Sequence, residues 1–275
     1  MTFSDLSIDQ DMVDALAEKG IIEPFPIQTQ TIPLALTGQD IIGQAKTGTG
    51  KTFGFGLPLI QALGTSPEPG VQALVVVPTR ELCVQVAEDL ELATSKRDTK
   101  VVAIYGGKAY EGQIEQIKAG AQIVVGTPGR LLDLAGQRLL SLANVKVMVL
   151  DEADKMLDLG FLPDVEKLFA QTSPTRHTML FSATMPGPVV TLARRFMNRP
   201  IHIRATDPTR GRSRRTSSTS STARTRSTRT RSSHASCRPK VAARRSCSRA
   251  PSAPPPSWSK SSTTADSTPG PCTVT

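Results

Sequence analysis

The chain has 275 residues, enough for one large domain or two small ones, and its 33 Lys/Arg against 24 Asp/Glu give a formal charge of +9. That excess is local: fourteen of the basic residues and a single acid, Asp266, lie from Thr209 onward, so residues 1–208 hold 19 basic and 23 acidic groups, about −4 net. No long apolar run suggests a membrane span, the opening Met1-Thr2-Phe3-Ser4-Asp5 is unlike a signal peptide, and Cys83, Cys237, Cys247 and Cys272 lack metal-ligand spacing, so a reduced, cytoplasmic protein is expected. The scattered His177, His202 and His234 suit solvated or structural roles better than metal ligation.

In chain order, residues 7–19 read as an amphipathic helix whose stripe is Ile8, Met12, Leu16 and the flanking Val13 and Ala15, stopped by Gly20. A second helix runs from the Pro24/Pro26 turn to about Leu36, before Gly38. From Asp40 onward the pattern alternates. The apolar run 40–43 is followed by strand-like runs at 73–77, 101–105, 122–125, 145–150 and 178–181. Helix-like stretches lie between them, at 52–63, 80–93, 109–118, 129–135, 155–159 and 189–197. Continuously apolar strands alternating with helices specify an α/β fold with a parallel sheet covered on both faces. Ligands of such sheets bind at the carboxyl ends of the strands. After residues 200–203 the composition becomes Ser, Thr, Arg, Pro and Ala, with too little apolar surface to offset the entropy of folding. Disorder is expected there, with a boundary near Asp207.

The stretch Ala45-Lys46-Thr47-Gly48-Thr49-Gly50-Lys51-Thr52 follows one apolar run and opens a helix, the context of a phosphate-binding loop. Glycines permit the curl of backbone N–H groups around an anion, Lys51 reaches the outer phosphates, and the Thr52 hydroxyl suits Mg²⁺. The strict pattern begins with glycine where this chain has Ala45, and a glycine-rich turn is the plainer alternative. Residues 145–150 lead into Asp151-Glu152-Ala153-Asp154. A carboxylate at such a strand end is where a Mg²⁺-holding acid belongs, and Glu152 beside it is placed to accept a proton from attacking water.

Together with Ser182-Ala183-Thr184, these motifs resemble the DEAD-box RNA helicases, including that family's own alanine variant of the phosphate loop. The resemblance covers about residues 3–205. The run Gly20-Ile21-Ile22-Glu23-Pro24-Phe25-Pro26-Ile27-Gln28 is similar to the family's glutamine motif, with Phe3 as its upstream aromatic. Pro78-Thr79-Arg80-Glu81-Leu82, Gly106-Gly107 and Thr127-Pro128-Gly129-Arg130 are similar to its RNA-contact motifs. The resemblance implies a RecA-like domain at residues 1–207 that uses ATP and Mg²⁺. Gln28 and Phe3 would meet adenine, residues 45–52 the phosphates, Thr52 and Asp151 the metal, and Lys51, Asp151 and Glu152 would serve hydrolysis. Asp154, Ser182 and Thr184 would couple nucleotide state to domain closure. Pro78, Thr79, Arg80, Gly106, Gly107, Thr127, Pro128, Gly129 and Arg130 would hold RNA by its backbone, without regard to sequence. Plainer roles stand beside these: packing near the first helix for Phe3, N-capping for Thr79 and Thr127, and capping of the helix near Pro186 for Ser182 and Thr184.

The family works with two RecA-like domains, the second supplying further RNA contacts and arginine fingers, and nothing after Thr209 resembles it. Residues 208–275 instead look like an out-of-frame remnant of that second domain. In another frame, G+C-rich codons for residues 215–243 and 253–274 permit helicase-like linker and second-domain text. A natural basic tail that binds RNA nonspecifically is the alternative. An ATP-dependent RNA helicase, impaired in this chain, is the leading functional expectation, and an ATP/RNA-binding module without unwinding activity is the other.

Overall fold

Helix α1 covers Gln10–Ala17 and is shorter at both ends than the periodicity of residues 7–19 suggests. A one-turn 3-10 helix, Ser4–Leu6, precedes it and ends on Ser7 in a left-handed conformation. At its other end Gly20, with φ +76°, reverses the chain. Its N–H donates to the Ala17 carbonyl (2.9 Å) and the Ile21 N–H to the Leu16 carbonyl (3.0 Å), the paired bonds of a Schellman cap. Met12, Ala15 and Leu16 are buried as the stripe requires. Helix α2 (Pro26–Ala35) starts with proline in its first turn, and the Gln28 side chain accepts the Phe25 N–H at 2.8 Å.

The computed structural model describes residues 1–204. The tail, with its expected disorder, the boundary near Asp207, and Cys237, Cys247, Cys272 and His234, lies outside the described residues. Beyond α2 the elements are β1 (Ile41–Gln44), α3 (Lys51–Leu63), β2 (Ala73–Val76), α4 (Arg80–Ala93), β3 (Val101–Ile104), α5 (Tyr110–Lys118), β4 (Ile123–Gly126), α6 (Pro128–Gly136), β5 (Val147–Leu150), α7 (Ala153–Asp158), α8 (Leu162–Gln171), β6 (His177–Ser182), α9 (Gly187–Phe196) and β7 (Ile201–Arg204). The sequence reading found neither α8 nor β7 as elements. The signal for α8 was present, because Val165, Leu168 and Phe169 recur at helical spacing and all three are buried. Strand β7 is four residues at a sheet edge, where only Ile203 is fully buried, so it carries little apolar pattern.

All strand pairings are parallel, in the order β3-β4-β2-β5-β6-β1-β7. The RecA-like α/β architecture expected from the sequence is the one observed. Side chains alternate between two cores, one on each face of the sheet. Ile41, Ala73, Val75, Ile123, Val125, Val147, Val149, Met179 and Phe181 face the core that includes α1 to α4. Ile42, Leu74, Val76, Val124, Met148, Leu150 and Leu180 face the core that includes α6, α8 and α9. At the amino end of the sheet, buried Asp40 accepts the Thr178 N–H (2.7 Å) and the Asn198 N–H (2.6 Å), pinning the starts of β6 and β7 beside β1. Among the described residues no helix is long and apolar enough to cross a membrane.

This strand order sorts the motifs. Strands β5, β6 and β1 are neighbours, so residues 45–52, 151–154 and 182–184 meet at their carboxyl ends. Strands β3, β4 and β2 are neighbours on the other half, which gathers residues 106–107, 127–130 and 78–80.

Candidate nucleotide and nucleic-acid site

The loop after β1 is bent by Gly48 and Gly50, with φ of +81° and +77°. Gly50 has a second reason to be glycine: a Cβ there would lie 2.5 Å from Phe25 Cδ2 and 2.7 Å from Gln28 Nε2. The Ala45 N–H donates to the Ser182 carbonyl at 3.1 Å, tying the loop to β6. The Thr49 hydroxyl donates to the Lys46 carbonyl at 2.8 Å. Lys51 opens α3 and is 6% exposed, with Nζ 3.5 Å from Asp151 Oδ1 and no hydrogen bond. A buried ammonium with one loose counter-ion and open donors is arranged for an additional anion. Thr52 lies near Asp89 of α4, a carboxyl that burial holds above its ordinary value and that the Thr52 hydroxyl draws part of the way back down.

Asp151 and Glu152 are both buried at the end of β5. Burial pushes the Asp151 carboxyl above its ordinary value, with the Glu152 charge adding to the rise and Lys51 opposing it. The Glu152 N–H donates to Asp151 Oδ1 at 2.9 Å. Glu152 holds a left-handed backbone, φ +56°, that a non-glycine residue adopts at a cost. Its carboxylate accepts the Thr47 hydroxyl at 3.2 Å and pairs with Lys155 at 2.8 Å. Lys155 was not singled out from sequence, although its i,i+3 spacing from Glu152 carried the signal.

Asp154 is the junction with β6. Its carboxylate accepts both the N–H (2.9 Å) and the hydroxyl (2.8 Å) of Thr184, and its own N–H donates to Ser182 Oγ at 3.1 Å. Burial alone would raise this carboxyl, but the bonds with Thr184 and Ser182 outweigh it and hold the pKa below the ordinary value. Ser182 and Thr184 do not cap α9, whose N-cap is Pro186 with no side-chain bond.

Two expectations for adenine need revision in this conformation. Phe3 is 1% exposed and packed in the core with Leu6 and Met12, so its ring offers no face to a base, and the packing role describes it. Gln28 is also 1% exposed. Its carbonyl accepts the Phe25 N–H, and its amide donates to the Gly50 carbonyl at 2.7 Å. It therefore fastens the start of α2 to the phosphate loop.

On the other half of the edge the two threonines differ. Thr79 caps α4, its hydroxyl accepting the Leu82 N–H at 3.3 Å. Thr127 stands at the N-cap of α6 without any side-chain capping bond. Arg80 is exposed and paired with Glu81 at 2.8 Å. Gly106 and Gly107 are exposed, Gly107 with φ +83°, whereas Pro78 and Pro128 are buried. The Arg130 guanidinium stacks on the Tyr110 ring at 3.8 Å and donates to the Lys108 carbonyl at 3.0 Å. Sequence reasoning missed Gln113, 2% exposed, whose amide donates to the Tyr105 (3.2 Å) and Ala109 (3.4 Å) carbonyls across the Gly106-Gly107 turn.

Residues 25–192 match the family model for DEAD/DEAH box helicase. The DEAD-box ATP-dependent RNA helicase CshA of Streptococcus pneumoniae is 48% identical over 204 residues, 74% of this chain and 39% of the relative. The CshA of Bacillus subtilis is 46% identical over 205 residues, 74% of this chain and 41% of the relative. The chain thus spans about two fifths of the length of the curated relatives it matches. Among solved structures, a DEAD box protein from the hyperthermophile Methanococcus jannaschii superimposes with a TM-score of 0.71 at 42% identity, covering 75% of this chain and 56% of that one. A hypothetical ATP-dependent RNA helicase from Sulfolobus tokodaii gives 0.67 at 38% identity, covering 72% and 57%.

Proposed function

The chain belongs to the DEAD/DEAH box helicase family, and from that premise we propose that it binds ATP with Mg²⁺ at the ends of β5, β6 and β1 and RNA backbone at the ends of β3, β4 and β2. The observation that carries this reading is the buried Lys51 ammonium beside Asp151 with its hydrogen-bonding capacity unspent. A triphosphate satisfies those donors, with the loop N–H groups and the amino end of α3 contributing to the same charge.

The donor set fits Mg²⁺, because burial disfavours the Asp151 anion until a cation compensates it. Asp151 and Thr52 would hold the ion. Bound there, Mg²⁺ would neutralise charge developing on the phosphates. Glu152 is the base that takes a proton from attacking water, and in the present arrangement its carboxylate is engaged by Thr47 and Lys155. Loop residues that wrap a triphosphate would release Thr47 from Glu152. Asp154 passes the position of α7 to Ser182 and Thr184, and so couples the nucleotide site to β6.

In the whole enzyme this chemistry drives local unwinding of RNA, and we place the protein in the cytoplasm. Residues 1–207 form the ATP-binding RecA-like domain in this reading, and residues 208–275 are an out-of-frame remnant of the second. The RecA-like domain by itself then binds adenine nucleotide weakly and hydrolyses it very slowly, because an arginine supplied from outside it is worth roughly 10³–10⁵ in rate. Titration with a fluorescent ATP analogue, with and without Mg²⁺, and RNA-stimulated turnover test the activity. No Mg²⁺-dependent binding refutes the site, and turnover typical of an intact two-domain enzyme refutes the impairment. Nucleotide sequence across codons 200–275 tests the frame: an intact frame with no overlapping helicase-like text refutes the remnant.

A further inference from the structure

We propose that Phe25 supplies the aromatic face on which the base of the bound nucleotide rests, an inference that depends on the ATP-site reading above. Phe25 is 52% exposed, and of the large apolar side chains exposed among the described residues (Met1, Ile22, Phe25 and Leu159) it is the one whose ring is in contact with the phosphate loop. Its Cδ2 and Cε2 lie 2.5 and 3.2 Å from where a Cβ on Gly50 would stand, so one ring edge rests on the residue before Lys51.

The backbone that carries this ring is fixed in three ways. The Phe25 N–H is held by Gln28 Oε1, the residue is extended at φ −69° and ψ 158°, and Pro26 follows it. The two residues expected to meet adenine, Phe3 and Gln28, are each 1% exposed. The aromatic surface left at this end of the loop belongs to Phe25. A nucleotide whose phosphates occupy the loop ends in a planar base, and a half-exposed ring anchored at the loop offers it a stacking partner. Stacking is tolerant of base identity, so this contact contributes affinity for purines, and selection for adenine has to come from hydrogen-bonding groups.

The competing role is a prop: the ring merely shapes the loop around Gly50. The two roles separate when ATP is compared with inorganic tripolyphosphate, which has phosphates and no base. In the full chain, Phe25→Ala should weaken ATP binding by about 5- to 100-fold and leave tripolyphosphate binding unchanged. Phe25→Trp should retain ATP binding, and its added fluorescence, above that of Trp258, should be quenched by ATP and not by tripolyphosphate. Unchanged ATP affinity in Phe25→Ala overturns the proposal, as does an equal loss for both ligands. If the parent chain binds tripolyphosphate but not ATP, the base contact fails while the phosphate loop stands. If it binds neither, the ATP site itself fails. The tryptophan variant keeps the test open should the alanine variant not fold.

Discussion

Lys51 and Asp151 face each other in a buried corner where neither charge is well solvated. Removing one partner of such a pair costs roughly 3–5 kcal/mol because the other is left uncompensated. In Lys51→Met the attraction that opposes the rise of the Asp151 pKa disappears, so the carboxyl moves further upward. A group whose folded pKa lies above its unfolded value contributes stability that is complete below the unfolded pKa and lost as pH rises through the folded one. The variant's stability deficit should therefore widen as pH climbs above the ordinary carboxylate value of 3.8. Urea denaturation across that range measures it, and a deficit independent of pH would rule Asp151 out as the titrating partner. Thr79 and Thr127 offer a second comparison at this scale. The Thr79 hydroxyl caps α4 and the Thr127 hydroxyl caps nothing. Thr79→Val should cost about 1 kcal/mol of stability, whereas Thr127→Val should leave stability unchanged and weaken RNA binding. Thermal melts paired with RNA titrations separate the two, and equal destabilisation would show that Thr127 also serves its helix.

At the scale of elements, what the sequence made legible was what has a period. Helix α4 spans the 80–93 stretch read from its pattern, and the runs that became β2, β4 and β5 were legible because each strand is buried on both faces and admits no polar residue. What escaped depends on contacts between distant segments. Phe3 reads the same whether it stacks on a base or packs against α1, and only the path of the first ten residues buries it. Gln28 reads as an adenine contact until Gly50, twenty-two positions away, is seen to accept its amide. Phe25 passed as part of a proline turn because nothing local reveals that its ring rests on the phosphate loop. Gly126 belongs to the same class. It ends β4 directly before Thr127, and a Cβ there would stand 2.7 Å from the Leu131 side chain and 2.8 Å from the Ile104 carbonyl. The Ile104 carbonyl is β3 backbone and cannot yield as the Leu131 side chain can, so Gly126→Ala should part β4 from β3 at this end and carry the start of α6 with it. The expected cost is about 1–3 kcal/mol, with a loss of RNA affinity because Thr127 and Arg130 move with the helix. Denaturation and RNA titration check both. A variant as stable as the parent would mean that β3 and β4 separate freely at that end.

The whole molecule divides its tasks by strand order and by charge. The sheet puts the residues proposed to hold nucleotide on β5, β6 and β1 and those proposed to hold RNA on β3, β4 and β2, and β2 and β5 are paired, so the two halves share one seam. Residues 1–208 are slightly acidic, and the basic excess of the chain follows Thr209. Contacts to RNA from the sheet edge and from the tail should therefore differ in salt dependence. Each phosphate neutralised on a single strand contributes about −0.7 to the slope of log K against log salt. An edge that offers Arg80, Lys108 and Arg130 sets a slope near −2 by that rule, and the fourteen basic residues after Thr209 can only steepen it. Removing residues 209–275 should lower affinity at low salt and bring the slope to about −2. The remaining binding should strengthen when ATP and Mg²⁺ are added, because it passes through the edge that shares the β2–β5 seam with the nucleotide site. Filter binding at several salt concentrations, with and without nucleotide, measures both effects. An unchanged slope would show that the basic residues after Thr209 contact no RNA. Binding that vanishes with the tail would show that the sheet edge holds none by itself, which would move the RNA site off the RecA-like domain.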